Sequence, residues 1–304
     1  MEIIKRNGNV EQYNKTKIAV AIQKSFASVG TEIKVVLIDE MVDAVEQFIE
    51  AHSDMRNVES IQDQVEKTLM QNGFYDEAKS YILFRFQRTE RRNAINSIVA
   101  DAEDEGLKPI LKKISSDYTS VEYSLLLLSD KFKSFCKDDM KQADKLSALV
   151  KAAVEMTTQE APNWEFIAAR LLSYKLNRSI AAFEESVSVH SFYDKLRYLT
   201  DERLYGEYIL ASYSPEEIAQ AATFIKEERN DLLNYSGLDL LMKRYLIRTY
   251  SNKPIESIQE MYLGIALHLA INEKEDRMLW VQKFYDILSK LEVTMATPTL
   301  SNAR

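Results

Sequence analysis

Glycine and proline are scarce in this chain, and their scarcity constrains the fold more than any other feature. The 304 residues include only seven glycines and five prolines. Because these two residues are the main local breakers of regular structure, long uninterrupted segments are favoured. The content of Leu, Ala, Glu, Lys and Ile favours helix over sheet. We therefore predict a mainly α-helical protein.

Composition and charge exclude several classes of function. The net charge of −8 argues against a nucleic-acid-binding protein, whose affinity depends on a broad basic surface. No apolar run approaches the roughly 18 to 20 residues of a membrane span, and the N-terminus lacks the apolar core of a signal peptide. Cys136 and the scattered His52, His190 and His268 provide neither a disulfide framework nor metal-ligand spacing. We expect a cytoplasmic protein without a metal site.

The N-terminal residues predict a hairpin followed by a helix. Residues 1–14 alternate as a short hairpin does, around the strong turn signal Asn7-Gly8. Asn14 or Thr16 can then cap a helix that Gly30 ends. Three further helices are predicted over Ile33–Ala51, with Val35 on its apolar side, over Val58–Met70 and over Asp76 to about Arg92. We interpret residues 1–95 as one domain.

A charged break containing Gly106 and Pro109 predicts a linker over residues 96–110. Beyond it, we divide the chain into helical segments over 111–200 and 201–290 and a final segment over 291–304. Residues 65–88 and residues 150–176 each have the pattern of a helix, a polar turn and an aromatic-containing helix. This similarity indicates a weak internal repeat. Further boundaries are a helix start at Pro215, helices over Leu238–Tyr250, Ile258–Ile271 and Met278–Leu291, and a strand over Val293–Thr297.

The hairpin and the following helix predict an anion site. Backbone N–H groups and the positive end of a helix dipole meet there, and Lys5, Arg6 and Lys17 add charge-assisted donors. Glu11 and Asn14 supply acceptors that a ribose hydroxyl or a base amine could use. This combination suits a nucleotide, although clustered lysines and arginines beside a turn are also typical of a solvated face. The usual glycine-rich phosphate loops are absent from the sequence.

The motif KRNG, followed by Glu11, Asn14, Lys17 and Ile18 and by helices ending in YILFRFQR, resembles the ATP-cone. This regulatory nucleotide-binding domain begins many ribonucleotide reductase large subunits. The segments EAPNWEFIAARLL, YSPEEIAQAATFI and VQKFYDILSKLEVTMATPTLSNAR are similar to the helical N-terminal domain of that subunit. The resemblance covers nearly the whole chain in family order, and it implies that the C-terminal segment is the first strand of an incomplete ten-stranded α/β barrel.

The resemblance also implies the residues of an effector pocket for ATP and dATP, with Mg²⁺ on the nucleotide. ATP would permit activity and dATP would suppress it. The implied residues from the hairpin and the first helix are Ile3, Lys5, Arg6, Glu11, Asn14, Lys17 and Ile18, and those from the third and fourth helices are Val58, Ile61, Gln62 and Arg88. Relatives often carry Thr and His where this chain has Val58 and Gln62, which affects contacts to the base and to a second nucleotide more than those to phosphate. The segment 111–200 resembles the end of a second, degenerate cone, which we expect to bind no nucleotide.

The family's chemistry is radical reduction of a ribose 2′-hydroxyl by cysteines, the first of which would follow the motif at the end of this sequence. We therefore expect no catalytic residue here and no activity of the chain alone, and Cys136 is interpreted as an incidental thiol. Thr297 matches a family position that lines the substrate diphosphate, and Ser301 is near it. The implied partners are a C-terminal catalytic part, a radical-generating small subunit and further copies of this chain.

Two other functions stay open at this point. A stand-alone nucleotide-sensing repressor would need a zinc ribbon, and the sequence has no CxxC pair. A helical interaction module with an inactive cone is the other alternative, and the Val58 and Gln62 departures are its best support.

Overall fold

The computed structural model of the chain describes residues 1–6, 8–137 and 139–304. The described residues form two compact units, Met1–Asn93 and Ala94–Arg304. The chain is mainly helical, as predicted. No helix in these described ranges combines the length and the apolar composition that crossing a bilayer requires.

The first unit begins with an antiparallel hairpin and continues as helices. Its elements are β1 (Glu2–Ile4), β2 (Val10–Gln12), α1 (Lys15–Val29), α2 (Val35–Ala51), a 3₁₀ turn (Ser53–Met55), α3 (Val58–Gln71) and α4 (Tyr75–Ala102), whose last residues belong to the second unit. The two strands pair with Ile3 opposite Glu11. The predicted hairpin is confirmed, although Asn7 of its turn signal lies outside the described residues. Gly8 in the same turn has a φ of +81°, a conformation that favours glycine.

Local capping chemistry sets the ends of α1. The Asn14 side chain accepts a hydrogen bond from the Thr16 backbone N–H at 2.9 Å, which satisfies a donor that the first turn leaves free. Gly30 ends the helix with a φ of +79°, as the αL cap requires. Ile22, Phe26 and the apolar face of α2 meet in the core of this unit. Cap and core together fix the orientation of the residues that start α1.

Two predictions in the first unit are wrong in detail. Helix α2 begins at Val35, not at Ile33, and the Val35 side chain is exposed instead of lying on the buried side of the helix with Ile38. Helix α4 continues to Ala102 instead of ending near Arg92. No glycine or proline lies between Gly73 and Gly106 to stop it. The predicted linker over 96–110 is therefore largely helical, and only residues 103–106 separate α4 from the next helix.

The second unit has one continuous apolar core, to which buried residues from Ala94 to Ala303 contribute. Its elements are α5 (Leu107–Asp117), a 3₁₀ turn (Val121–Tyr123), α6 (Leu125–Phe135), α7 (Gln142–Val154), α8 (Trp164–Ser186), α9 (Phe192–Asp201), α10 (Glu207–Ser212), α11 (Pro215–Ala222), a 3₁₀ helix (Glu227–Leu232), α12 (Tyr235–Arg244), α13 (Ile258–Leu269), α14 (Arg277–Ser289) and α15 (Thr297–Asn302). The predicted division of this unit at residues 200 and 290 stays a prediction.

Two segments of the second unit differ from the sequence prediction. The helix expected over Leu238–Tyr250 is α12, which begins at Tyr235 because the Asn234 side chain caps it through the Gly237 N–H at 2.9 Å. The strand expected over Val293–Thr297 is not formed. Residues 293–296 are irregular and Thr297 begins α15, since a strand needs a hydrogen-bonded neighbour and Pro298 suits the first turn of a helix.

Replacement of Ser214 by alanine is expected to lower the unfolding free energy of the second unit by about 1 kcal/mol. Ser214 and Glu217 form a reciprocal capping box at the start of α11. Both tryptophans of the chain, Trp164 and Trp280, lie in this unit, so urea unfolding followed by tryptophan fluorescence measures its stability. Ser116→Ala, on an exposed residue of α5, is the control and should leave the midpoint unchanged. Equal midpoints for the two variants would contradict the prediction.

Candidate effector site

The hairpin is joined to the beginning of α3 through the backbone. The Ile4 N–H donates to the Arg56 carbonyl at 2.8 Å, and Ile4 forms a parallel bridge with Asn57. Asn57 in turn caps α3 by accepting from the Ser60 N–H at 2.9 Å. The hairpin therefore lies between the N-termini of α1 and α3, and residues predicted from three separate segments come together there.

Lys5 and Lys17 share one carboxylate. Lys5 Nζ lies 2.5 Å from Glu11 Oε2, and Lys17 Nζ lies 3.3 Å from Glu11 Oε1. The hydrogen bond from Lys5, and then that from Lys17, lowers the pKa of Glu11. These three predicted residues thus form a group, which we call the Glu11 cluster. Two positive charges meet one negative charge, so the cluster keeps a positive balance that favours an anion.

Arg6 points to α3 and meets a second carboxylate. Its Nε donates to Glu59, and its Nη2 donates to Gln62 Oε1 at 2.8 Å. Arg85 of α4 donates to the other oxygen of Glu59 at 2.6 Å. We call Arg6, Glu59, Gln62 and Arg85 the Glu59 cluster. Since Lys5 and Arg6 are neighbours in the chain, the two clusters adjoin at the hairpin.

Arg85 is held by three carboxylates of α3. Besides Glu59, it contacts Asp63 at 2.6 Å and Glu66 at 2.8 Å. Burial opposes its charge, but hydrogen bonds to Asp63, Glu66 and Glu59 together raise the pKa of Arg85. The hydrogen bond from Arg6 is the main cause that lowers the pKa of Glu59. Both shifts favour the charged forms of Glu59 and Arg85.

Helix α4 brings Arg92 within electrostatic reach of both Arg6 and Arg88. Burial and then the positive charges of Arg6 and Arg88 lower the pKa of Arg92. The charges of Arg6 and Arg88 also act on buried Tyr81, whose pKa burial raises to about 12. The predicted Arg88 is exposed on α4, between Arg85 and Arg92. Like charges that act on one another favour a bound anion, because it relieves their repulsion.

The predicted apolar residues line the core side of this region. Ile18 and Ile61 are buried in the core of the first unit, while Ile3 and Val58 are half-buried. Asn14 uses its side-chain oxygen to cap α1, so its amide N–H₂ group is what remains to face a ligand. Ile18 and Ile61 thus contribute mainly to packing.

Sequence reasoning missed Glu59, Arg85 and Arg92. The missed signal is an acidic stripe on α3, where Glu59, Asp63 and Glu66 follow the i, i+4, i+7 spacing of one helix face. Such a stripe needs a cation on the helix that packs against it. Arg85 supplies that cation in the structure.

The structure brings the predicted substrate residues Thr297 and Ser301 together on α15. Both are exposed, one helical turn apart, and Thr297 Oγ1 lies 3.1 Å from Tyr245 Oη. Arg304, which ends this segment, forms a buried ion pair with Glu256 at 2.7 Å. The segment is therefore fixed in position with both residues accessible to solvent.

Two other features do not belong to the candidate site. A surface depression of about 430 Å³ at the C-terminal end of α1 is lined by residues including Gln23, Phe26 and Ile33, and it contains none of the predicted residues. Cys136 is half-buried, and burial raises the pKa of its thiol. A thiol in that state is not activated as a nucleophile.

Two family models match the chain. Residues 1–90 match the ATP cone domain, and residues 231–304 match the all-alpha domain of ribonucleotide reductase. The Glu11 and Glu59 clusters of the candidate effector site lie entirely within the first match, and Arg92 lies just beyond it.

Curated relatives agree with these matches. The ribonucleoside-diphosphate reductase subunit alpha of Treponema pallidum (strain Nichols) is 46% identical over 310 residues, covering 100% of this chain and 37% of that protein. The Helicobacter pylori (strain ATCC 700392 / 26695) subunit alpha is 35% identical over 156 residues, or 51% of this chain and 19% of that protein. The Escherichia coli (strain K12) reductase 1 subunit alpha is 29% identical over 170 residues, or 55% and 22%. The chain spans well under half the length of these relatives.

Proposed function

We propose that this chain, which belongs to the ribonucleotide reductase large-subunit family, binds ATP and dATP at the hairpin of its first unit. Binding there would control the reduction of ribonucleotides by the complete large subunit. The observation that carries the proposal is that Lys5 and Lys17 meet at Glu11 beside Arg6 of the hairpin, whose charge also acts on Arg92 of α4. These cations lie in or next to the segment that matches the ATP cone domain.

The chemistry of the site suits a nucleoside triphosphate. Guanidinium and ammonium groups form charge-assisted hydrogen bonds to phosphate oxygens, and the first turn of α1, where Lys15 and Lys17 lie, adds a positive helix end. Gln62 and the amide group of Asn14 can hydrogen-bond to a base or a ribose. Ile3, Ile18, Val58 and Ile61 would form the apolar floor under them.

Magnesium is proposed to arrive with the nucleotide. Among the residues that the structure describes, no three acidic, histidine or cysteine side chains are grouped so as to hold a metal ion. Mg²⁺ typically keeps several waters and binds through substrate phosphates. The cations of the site would then act on the phosphate oxygens that Mg²⁺ leaves free.

Control of ribonucleotide reduction requires that ATP and dATP favour different states of assembly of the large subunit. A ligand with equal affinity for two assemblies shifts neither, and ATP and dATP differ only at the ribose 2′-hydroxyl. We propose that further copies of this chain, a radical-generating small subunit and the catalytic part of the large subunit are the partners through which this difference acts. Thr297 and Ser301 are proposed to contact the substrate diphosphate in the complete subunit.

Isothermal titration calorimetry of the full chain with ATP, dATP and adenosine tests the proposal. Micromolar binding of both triphosphates and much weaker binding of adenosine are expected, because the phosphates provide most of the charged contacts. Light scattering of the same samples would report whether ATP and dATP change the oligomeric state differently. If neither triphosphate binds, the proposal is wrong and the helical interaction module becomes the better interpretation.

A further inference from the structure

Arg6, one of the cations of the candidate effector site, already has two side-chain partners on α3. The Arg6 side chain is 25% exposed and donates to Glu59 and to Gln62. These two contacts take the Nε–H and an Nη2 N–H, which form one edge of the Arg6 guanidinium. A phosphate that binds this edge in the bidentate way must therefore displace Glu59.

The Glu59 carboxylate has a second partner that remains when Arg6 leaves. Arg85 contacts it at 2.6 Å and is itself fixed by Asp63 and Glu66. The Glu59 side chain is 46% exposed, so solvent can reach it as well. Displacement thus leaves no buried unpaired charge, which is the condition under which loss of an ion pair is inexpensive.

We propose that Glu59 is an internal competitor of the effector phosphates: it holds Arg6 in the absence of nucleotide and is transferred to Arg85 when a nucleotide binds. This inference rests on the proposed function, because it assigns a role to a neighbour of the same site. Carboxylate and phosphate are alternative acceptors for the same planar donor. Glu59 therefore lowers effector affinity, so that the site responds only at higher nucleotide concentration.

The test compares two variants of α3 that each remove one carboxylate from Arg85. Glu59→Gln removes the competitor, whereas Asp63→Asn removes a carboxylate that contacts Arg85 and not Arg6. Titration of the full chain with ATP and with inorganic tripolyphosphate is expected to give about two- to fivefold tighter binding for Glu59→Gln, the range that an exposed ion pair supports. Asp63→Asn should bind both ligands like the wild type. The effect is expected to be equal for the two ligands because it acts on phosphate alone.

The outcomes separate this inference from the proposed function. Weaker binding by Glu59→Gln would mean that Glu59 positions Arg6 for the ligand, and it would overturn the inference. An equal gain in Asp63→Asn would also overturn it, since general charge reduction would then explain the effect. Binding by Glu59→Gln in the absence of wild-type binding would support it. If neither the wild type nor the variant binds ATP, the proposed function fails and the inference fails with it. Thermal unfolding of both variants confirms that they are folded.

Discussion

Replacement of Arg6 by alanine is expected to weaken ATP binding about 10- to 150-fold, which corresponds to about 1.5–3 kcal/mol for a hydrogen bond to a charged group. Arg6 extends from the hairpin to α3, where it donates to Gln62, and its charge acts on Arg92 of α4. A guanidinium can offer two parallel donors to one phosphate, so no single neighbouring cation replaces it. Calorimetry at fixed ionic strength measures the change, because salt screens these contacts.

Lys24→Ala is the matched control for Arg6→Ala. It removes the same charge from an exposed residue of α1, seven residues beyond Lys17, or about 10 Å along the helix axis. Screening at ordinary salt acts over about the same distance, so the affinity of Lys24→Ala should stay close to that of the wild type. An equal loss in both variants would mean that net charge, not a defined site at the hairpin, attracts the nucleotide.

Features of the first unit with a local cause could be predicted from the sequence. Asn14 caps α1, Gly30 ends it in the left-handed region, and α3 begins at Val58. Each of these outcomes depends on a side chain and the backbone within about four residues of it. A single sequence contains that information completely. The hairpin belongs to the same class, since its strands are joined by a short turn.

Element ends that depend on distant packing could not be predicted in the same way. The residues at 293–297 are strand formers, yet β-propensity expresses fit to a neighbouring strand, and no such neighbour is formed in the described part of the second unit. Helix α4 passes Arg92 because its apolar residues Ile95, Ile98 and Val99 enter the core of the second unit. Periodicity identified α4 as a helix, whereas contacts in the core decided where it ends.

The candidate site also has one part that could be predicted from the sequence and one part that could not. The Glu11 cluster joins residues at most twelve positions apart, and its members could be predicted from the N-terminal motif and the family resemblance. The Glu59 cluster joins Arg6 to Glu59 over 53 positions and Arg85 to Glu59 over 26. Its geometry depends on how α3 and α4 pack, which a motif does not contain. That is why the competitor of Arg6 was missed although Arg6 itself was predicted.

Long-range charge pairing also governs the stability of the second unit, where Lys195→Met is expected to lower the unfolding free energy by about 3–5 kcal/mol. The Lys195 side chain is 3% exposed and lies 2.6 Å from Glu184 and 2.7 Å from Glu260. Methionine fills a similar volume but leaves both carboxylates without their counter-charge. Urea unfolding followed by the fluorescence of Trp164 and Trp280 reports the loss.

The pH dependence of this loss distinguishes a charge effect from a packing effect. Burial opposes the charge of Lys195, but Glu260 and Glu184 raise its pKa above the ordinary value. Because the folded-state pKa of Lys195 is raised, its ion pairs contribute their full stability at every pH below the lysine pKa of the unfolded chain, which includes neutral pH. The wild type loses this contribution only as the pH rises through the folded-state pKa. In Lys195→Met, acid should protonate the uncompensated carboxylates, and the deficit should shrink as the pH falls from 7 toward about 4.5.

Lys243→Met is the control, because Lys243 is 69% exposed and pairs with Asp239 at 2.6 Å, and its unfolding should differ little from that of the wild type. A deficit that is large but independent of pH would mean that Lys195 acts through packing of its aliphatic chain instead of its charge.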